Sequence, residues 1–382
     1  MPNAFFDPGL KTAVIVVADQ NIPLLEETFG AHASVRPLPG REISAADLKS
    51  ADALVVRSVT RVDARLLSGS RIRFVGSATI GRDHLDTAWL ESAGIHWCHA
   101  PGCNAQSAAE YTTGMILLAL RRLGKPVADC TAGIIGRGNV GSRVMNLLTS
   151  LGVRCVANDP PLSDAGAPGL VSRSQALAQD IVCLHVPLTR TGPYPTFQMI
   201  DQAAMADMKR GVILLNAGRG DVIDGRALLE CVTGKRVHAC LDVWPDEPEI
   251  DRALLEVCTV ATPHVAGYSA QGKSAGTSRV YAEFCRCFNL PPGPEVIPQP
   301  PVSAMNLELS DDPLTDAVLT ATGVERDDQL MRAELGPASP GTHRAFDRLR
   351  QTYPVRHEFR YWRAPVSSPR ARSQLSALGF NT

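Results

Sequence analysis

The stretch Ala132-Gly133-Ile134-Ile135-Gly136-Arg137-Gly138-Asn139-Val140-Gly141 decides the fold. A short apolar run ends in G-x-G-x-x-G and passes into a helix-period segment, Val140–Leu151. Asp159 stands eighteen residues beyond Gly141, just past the next apolar run, Val153–Ala157. A glycine turn alone is a weak signal. With a strand before it, a helix after it and an acid at the end of the second strand, it reads as a dinucleotide fingerprint. Gly136, Gly138 and Gly141 permit the tight turn and let backbone N–H groups approach a pyrophosphate at the helix N-terminus. Asp159 suits the adenosine ribose hydroxyls and would repel a 2′-phosphate, so NAD is expected rather than NADP.

The same alternation extends in both directions. Upstream, Ala13–Ala18, Ala53–Val56, Phe74–Ser77 and Ile95–Cys98 read as strands separated by helix-period segments, and a long helix runs over Ala105–Arg122 to Gly124. Downstream, Ile181–His185, Val212–Asn216, Val237–Leu241 and Val257–Ala261 continue the pattern, and 267–289 is helical again. Such βα repetition predicts parallel sheets covered by helices. Six prolines between Pro291 and Pro301 mark a semi-rigid linker. Beyond it the charge divides, with a net −6 over 302–340 and +6 over 341–382. Phe346, Leu349, Tyr353, Phe359 and Trp362 suggest a small α+β unit there. At roughly 80 residues such a unit is marginal as an independent core, so docking on a partner subunit is expected.

Composition narrows the function classes. The 382 residues exceed what one core holds, since single cores stop growing near ~250–300 residues. The net charge of −1 gives no field to recruit nucleic acid or an anionic membrane. The longest apolar runs, Ala13–Ala18 and Met115–Leu120, fall far short of the ~20 residues a spanning helix needs. Met1–Leu10 lacks the basic-then-apolar pattern of a signal peptide. The ten cysteines form no C-x-x-C pair and no cluster at zinc spacing, so reduced structural thiols and no metal are expected. A cytoplasmic multidomain protein is the expectation.

Three loops just past strand ends carry candidate chemistry, because ligands bind at the carboxyl ends of strands in open α/β sheets. Asn216-Ala217-Gly218-Arg219-Gly220 follows one strand. Asp242-Val243-Trp244-Pro245-Asp246-Glu247-Pro248 follows the next, and Thr262-Pro263-His264-Val265-Ala266-Gly267-Tyr268 follows the last. An arginine, a carboxylate and a histidine so placed suit oxidation of a 2-hydroxy acid. Arg219 would fork onto the substrate carboxylate and carbonyl oxygen. His264 would take the hydroxyl proton as hydride leaves, and Glu247 would orient the imidazole.

With these loops in this order, residues 11–289 resemble the D-isomer-specific 2-hydroxyacid dehydrogenase family. Val56-Arg57-Ser58-Val59-Thr60, Phe74–Thr79, Ala100–Ala105, Asp159-Pro160-Pro161 and Gly192-Pro193-Tyr194 narrow the likeness to one branch of it. That branch acts on a small phosphorylated 2-hydroxy acid. Phe346-Asp347-Arg348-Leu349-Arg350 and Leu378-Gly379-Phe380-Asn381 resemble its C-terminal dimerisation domain, which implies a homodimer. The resemblance makes Arg219, Glu247 and His264 catalytic and Ser58, Thr79 and Tyr268 substrate contacts. It places Asp159, Val186, Ala217, Gly218, Arg219, Asp242 and Gly267 at NAD, with Asn139 and Val140 donating from the backbone to the pyrophosphate. Gly218 stands where some close relatives carry cysteine, and Gln271 where an acid is usual. Arg57 and Lys273, from their placement, are candidates for the substrate phosphate.

The expected architecture is two Rossmann-like parallel-sheet domains with an interdomain cleft, plus the small α+β C-terminal domain. Residues 1–103, completed by 267–289, form the substrate-binding domain and 104–266 the NAD-binding domain. Residues 290–301 are the linker and 302–382 the dimerisation domain. Competing readings are a dehydrogenase for another acid such as 3-phosphoglycerate, a non-catalytic NAD sensor of the same fold, and a structural oligomerisation protein.

Overall fold

The computed structural model describes residues 14–307, 310–336 and 343–382. The N-terminal segment read for a signal peptide, and Ala13 of the first expected strand, lie outside the described residues. The chain divides into two compact units, one of 1–103 with 273–297 and one of 104–272 with 298–382.

In the first unit, β1 (Val14–Asp19), β2 (Ala33–Leu38), β3 (Ala53–Val56), β4 (Phe74–Ser77) and β5 (His96–His99) make a parallel sheet in the order β2-β1-β3-β4-β5. β3 and β4 are buried along their whole length, as strands covered on both faces must be. Among the described strands of this sheet, β2 is the one the sequence pattern does not reveal. It is an edge strand, half exposed, and it contains Ser34, Arg36 and Pro37. An edge tolerates proline because one side of the strand needs no ladder donor, and this hides it from a hydrophobic reading. The order reverses between β1 and β3, the kind of switch point at which α/β sheets bind ligands. Asp19 ends β1 there and Arg57 and Ser58 follow β3.

In the second unit, β6 (Thr131–Ile135), β7 (Arg154–Asn158), β8 (Ile181–Leu184), β9 (Val212–Asn216), β10 (Val237–Leu241) and β11 (Val260–Ala261) form a six-stranded parallel sheet, β11-β10-β9-β8-β6-β7. The switch point falls between β6 and β8, at the glycine turn. The helix Ala105–Leu123 ends at Gly124, as its apolar run predicts, and is buried along most of its length. The last strand is shorter than its apolar run, because Arg252–Val257 is helical.

Among the described residues, the segment beyond the linker does not build a core of its own. Its helices Pro313–Thr322, Val324–Leu335, His343–Gln351 and Pro369–Leu378 flank a two-stranded sheet of β12 (Ser303–Ala304) and β13 (Trp362–Arg363). Val318, Phe359, Leu375 and Phe380 share one core with Tyr111, Met115, Ile134 and Leu148. Phe346, Met331 and Leu335 share another with Leu228, Trp244 and Leu254. A chain too short to bury its own apolar faces has buried them on the dinucleotide sheet's helices. The oppositely charged halves meet within the chain, where Arg348 pairs with Glu334 and Tyr353 Oη donates to Asp327 (2.8 Å).

Glu110 marks that seam. It is buried in the helix Ala105–Leu123 and accepts from Gln106 Nε2 (2.9 Å) and the Phe359 N–H (3.1 Å). Burial first, then the nearby Glu358 charge, push its carboxyl up to about 8. The unfolded chain releases this proton near the ordinary carboxylate value while the folded chain keeps it, so stability falls as pH rises through that window. Glu110→Gln should remove a slope of about 1.4 kcal/mol per pH unit, making the variant relatively more stable toward pH 8. Urea unfolding at a series of pH values checks this. Parallel stability curves for the two proteins would contradict it.

Candidate active site

The second unit gathers the three candidate loops at the C-terminal edge of its sheet. His264 Nδ1 lies 2.7 Å from Glu247 Oε2, and both side chains are half-buried. The other Glu247 oxygen accepts the Trp244 N–H at 2.7 Å, so the carboxylate is held at both ends. Burial works to raise the Glu247 carboxyl. The His264 charge, the hydrogen bond to its ring, Arg350 and the Trp244 N–H outweigh that and hold it below the ordinary carboxylate range. Glu247 is therefore a carboxylate at neutral pH. A carboxylate on Nδ1 leaves Nε2 as the nitrogen that exchanges a proton with a substrate.

Local backbone geometry is unusual at this pair. His264 (φ 58) and Asp246 (φ 59) both sit in the left-handed region, where non-glycine residues are strained and persist only under tertiary constraint. The constraint on the His264 loop is Asp242, which is 1% exposed. Its Oδ1 accepts from Thr262 Oγ1 (2.7 Å) and the Val265 N–H (2.9 Å), and its Oδ2 from the Ala266 N–H (2.9 Å). The family resemblance assigns Asp242 to NAD; in the fold its carboxylate ties the β10 and β11 loops together. Trp244, 2% exposed, adds a further tie by donating Nε1 to the Thr262 carbonyl (2.9 Å).

Arg219 is presented by a loop that Asn216 braces, its Nδ2 donating to the Arg219 carbonyl (2.9 Å) and its Oδ1 accepting the Gly218 N–H (3.0 Å). Arg219 Nη1 donates to the Gly218 carbonyl at 2.8 Å. Next to it, a Cβ on Gly220 would fall 1.9 Å from the Trp244 carbonyl oxygen, so this loop lies directly on the β10 loop. Trp244 therefore touches all three loops.

The glycine turn fits a dinucleotide. Gly136 has φ 91, and a Cβ on Gly141 would meet the Gly136 oxygen at 2.0 Å, so both must be glycine. A Cβ on Gly138 meets nothing within 4 Å, which leaves the approach to the turn open. The helix Asn139–Ser150 starts there with no side-chain cap, so the Asn139 and Val140 N–H groups are available to phosphate oxygens. Val186 packs beside Gly136. Asp159 accepts from the Arg137 N–H (2.8 Å) and the Leu162 N–H (3.2 Å), which holds its carboxylate against the turn.

In the first unit, Ser58 follows β3, and Thr79 Oγ1 lies 2.7 Å from Ser77 Oγ. Arg57 is drawn onto Asp19, with Nε to Oδ2 at 2.9 Å and Nη2 to Oδ1 at 3.4 Å. Asp19 is fully buried, so part of the charge expected to meet a phosphate is already engaged. Lys273 opens this unit's share of the helix Ala270–Phe288, whose preceding residues belong to the second unit.

Residues of the C-terminal segment also serve the His264 loop, and the sequence pattern does not reveal them. Arg356 Nη2 donates to the Ala266 (2.6 Å) and Val265 (3.3 Å) carbonyls, and the Arg356 carbonyl accepts the Ala270 N–H (2.9 Å). Asp328 Oδ1 accepts the Ala261 N–H (2.7 Å), closing the outer edge of β11. Gln271 donates Nε2 to the Pro298 carbonyl (3.1 Å). No local motif signals these contacts, since most of the partners lie tens of residues away.

Comparison with known proteins bears on the fold and the family. Residues 105–266 match the model of the D-isomer specific 2-hydroxyacid dehydrogenase NAD binding domain. Residues 296–379 match a domain of unknown function, DUF3410. Among solved structures, TT0316 protein from Thermus thermophilus superposes with a TM-score of 0.64 at 23% identity, covering 74% of this chain and 100% of its own. The NAD-bound 3-phosphoglycerate dehydrogenase of Entamoeba histolytica gives 0.64 at 21% identity, covering 73% and 96%. At these identities the two structures show the fold alone, an α/β protein with parallel sheets; the 2-hydroxyacid dehydrogenase NAD-binding class rests on the matched domain model.

Curated relatives are closer and reach through the tail. Erythronate-4-phosphate dehydrogenase of Teredinibacter turnerae is 42% identical over 96% of this chain and 98% of its own. That of Pseudomonas entomophila is 40% identical over 96% and 98%. The chain belongs to the erythronate-4-phosphate dehydrogenase family. It is an enzyme, an NAD-dependent oxidoreductase. Among the described residues no helix is long and apolar enough to cross a membrane.

Proposed function

We propose that the protein oxidises 4-phospho-D-erythronate at C2 to 2-oxo-3-hydroxy-4-phosphobutanoate, a step toward pyridoxal 5′-phosphate. The observation that carries this reading is the His264–Glu247 contact of 2.7 Å, in a chain whose family is named for that substrate. NAD, when bound, supplies the hydride acceptor. The glycine turn with Asn139 and Val140 would hold its pyrophosphate, Asp159 its ribose hydroxyls, and Val186, Ala217, Gly218, Asp242 and Gly267 would line the rest.

His264 Nε2 takes the C2 hydroxyl proton as the C2–H bond breaks with its electron pair, and Glu247 stabilises the imidazolium that forms. Arg219 grips the C1 carboxylate and the C2 oxygen, favouring the developing carbonyl. Ser58, Thr79 and Tyr268 provide hydroxyls to the substrate, and Arg57 and Lys273 positive charge to its phosphate. The enzyme works in the cytoplasm as a homodimer built through residues 302–382.

NADH production with 4-phospho-D-erythronate, compared at equal concentration with 3-phosphoglycerate and D-glycerate, tests the reading. The phosphorylated four-carbon acid should give the highest kcat/KM. Faster turnover of 3-phosphoglycerate would reassign the substrate, and NAD binding without turnover of any acid would make the protein a sensor.

A further inference from the structure

The loop after β4 carries a run of hydrogen bonds whose direction is fixed by the number of protons available. Ser77 Oγ, fully buried at the end of β4, lies 2.8 Å from His84 Nε2 and 2.7 Å from Thr79 Oγ1. Thr79 Oγ1 in turn donates to the Gly81 carbonyl at 2.9 Å. A carbonyl only accepts and a hydroxyl has one proton, so the Thr79 proton is spent on Gly81. Ser77 must then donate to Thr79. With its own proton so used, Ser77 accepts from His84, whose Nε2 carries the hydrogen. The run therefore goes one way, from His84 to Ser77 to Thr79 to Gly81. It leaves Thr79 Oγ1 with one lone pair and no proton to offer. Turning the proton outward would strip the Gly81 carbonyl of this donor. The backbone around it is tied down as well. The Ala78 N–H donates to the Val56 carbonyl and the Ala100 N–H to the Thr79 carbonyl, both at 2.9 Å, and His99 Nδ1 donates to the Ile80 carbonyl at 2.8 Å. Ser77 is buried and Thr79 only half-buried, so the remaining lone pair belongs to the residue a ligand can reach.

We propose that His84 and Ser77 are positioning residues that hold Thr79 as a hydrogen-bond acceptor, and that Thr79 thereby selects a substrate with a hydroxyl at C3. The inference rests on the proposed reaction, in which Thr79 meets the substrate. A carboxylate or a phosphate dianion offers only acceptors, so neither matches this oxygen. The C2 hydroxyl gives its proton to His264 in that reaction, which leaves the C3 hydroxyl as the donor. 3-Phosphoglycerate has no such group, because its C3 oxygen is the phosphate ester. The loop after β4 thus separates the four-carbon acid from the three-carbon one by a hydrogen bond as well as by length.

The test is the ratio of kcat/KM for 4-phospho-D-erythronate to that for its 3-deoxy analogue, D-2-hydroxy-4-phosphobutanoate. It is measured for the full-length enzyme and for Thr79→Val, Thr79→Ser and Ser77→Ala. The analogue keeps the carboxylate, the C2 hydroxyl and the phosphate, and lacks only the C3 oxygen. The wild-type ratio should be roughly 10- to 100-fold, the usual cost of leaving one polar group of a site unpaired. Thr79→Val, which keeps the shape without the oxygen, should bring the ratio within about threefold of unity, and Thr79→Ser should preserve it. Ser77→Ala leaves the Thr79 hydroxyl but cuts it from His84, and should lower the ratio about threefold. A wild-type ratio near one, or an undiminished ratio in Thr79→Val, overturns the proposal. Equal loss in Thr79→Ser and Thr79→Val would mean packing of the methyl group and overturns it too. An undiminished ratio in Ser77→Ala removes the positioning role of His84 and Ser77. Should Thr79→Val or Ser77→Ala fail to fold, Thr79→Ala and His84→Leu cut the same links and decide in their place. A wild-type enzyme that oxidises neither acid would instead refute the proposed reaction, which separates the two failures.

Discussion

Replacing His264 with asparagine should lower kcat for 2-hydroxy acid oxidation by about 10³-fold, within the range general base catalysis usually supplies. NAD affinity should stay near the wild-type value. Asparagine is the informative choice because of the backbone. His264 has φ 58, and asparagine is among the few side chains that accept that conformation readily. The loop tied down by Asp242 and Arg356 therefore keeps its shape while the ring that meets Glu247 is lost. An alanine variant would mix loss of chemistry with relaxation of the loop. Steady-state kinetics and an NAD titration on one preparation check the result. A fall in kcat of less than about tenfold would remove His264 from proton transfer.

Gly220→Ala should be nearly as damaging, although the change adds one methyl group and touches no reacting atom. The new Cβ would sit 1.9 Å from the Trp244 carbonyl oxygen and 2.0 Å from its carbon. Those are backbone atoms, so no rotamer change relieves the overlap, and one of the two loops must move. Arg219 immediately precedes Gly220, and Trp244 holds both Glu247 and Thr262, so either movement separates the arginine from the acid/base pair. Misplacement by about 1 Å is enough to cost on the order of 10²-fold in kcat/KM. Unfolding measurements distinguish this from simple loss of fold. Wild-type kcat/KM in a folded Gly220→Ala protein would show that the three loops are not mechanically joined.

How much of the molecule is legible in its sequence depends on the range of each interaction. The glycine turn is legible because its strand, helix and acid lie within thirty residues, each imposing a local backbone demand. Arg219, Glu247 and His264 are legible as types of residue at strand ends, since the βα alternation shows where strands stop. Strand β2 is not, because an edge strand with Pro37 and polar neighbours carries no buried periodicity. Nor is the docking of residues 302–382: apolar positions such as Phe346 and Phe359 announce a need for burial without naming the surface that satisfies it.

The sequence by itself determined the class of fold, the cofactor turn and the kind of chemistry, because those follow from local periodicity, glycine geometry and residue type at strand ends. Only the tertiary structure decided that the C-terminal segment shares the core of the dinucleotide sheet. It alone decided that Asp242 and Trp244 lash the loops together, and that Arg356 reaches the His264 turn. The physical reason is that these contacts join residues between about 20 and 90 positions apart, where pairing is set by the packing of whole elements. A side chain's chemistry is written in its own position, but its partner is chosen by the fold.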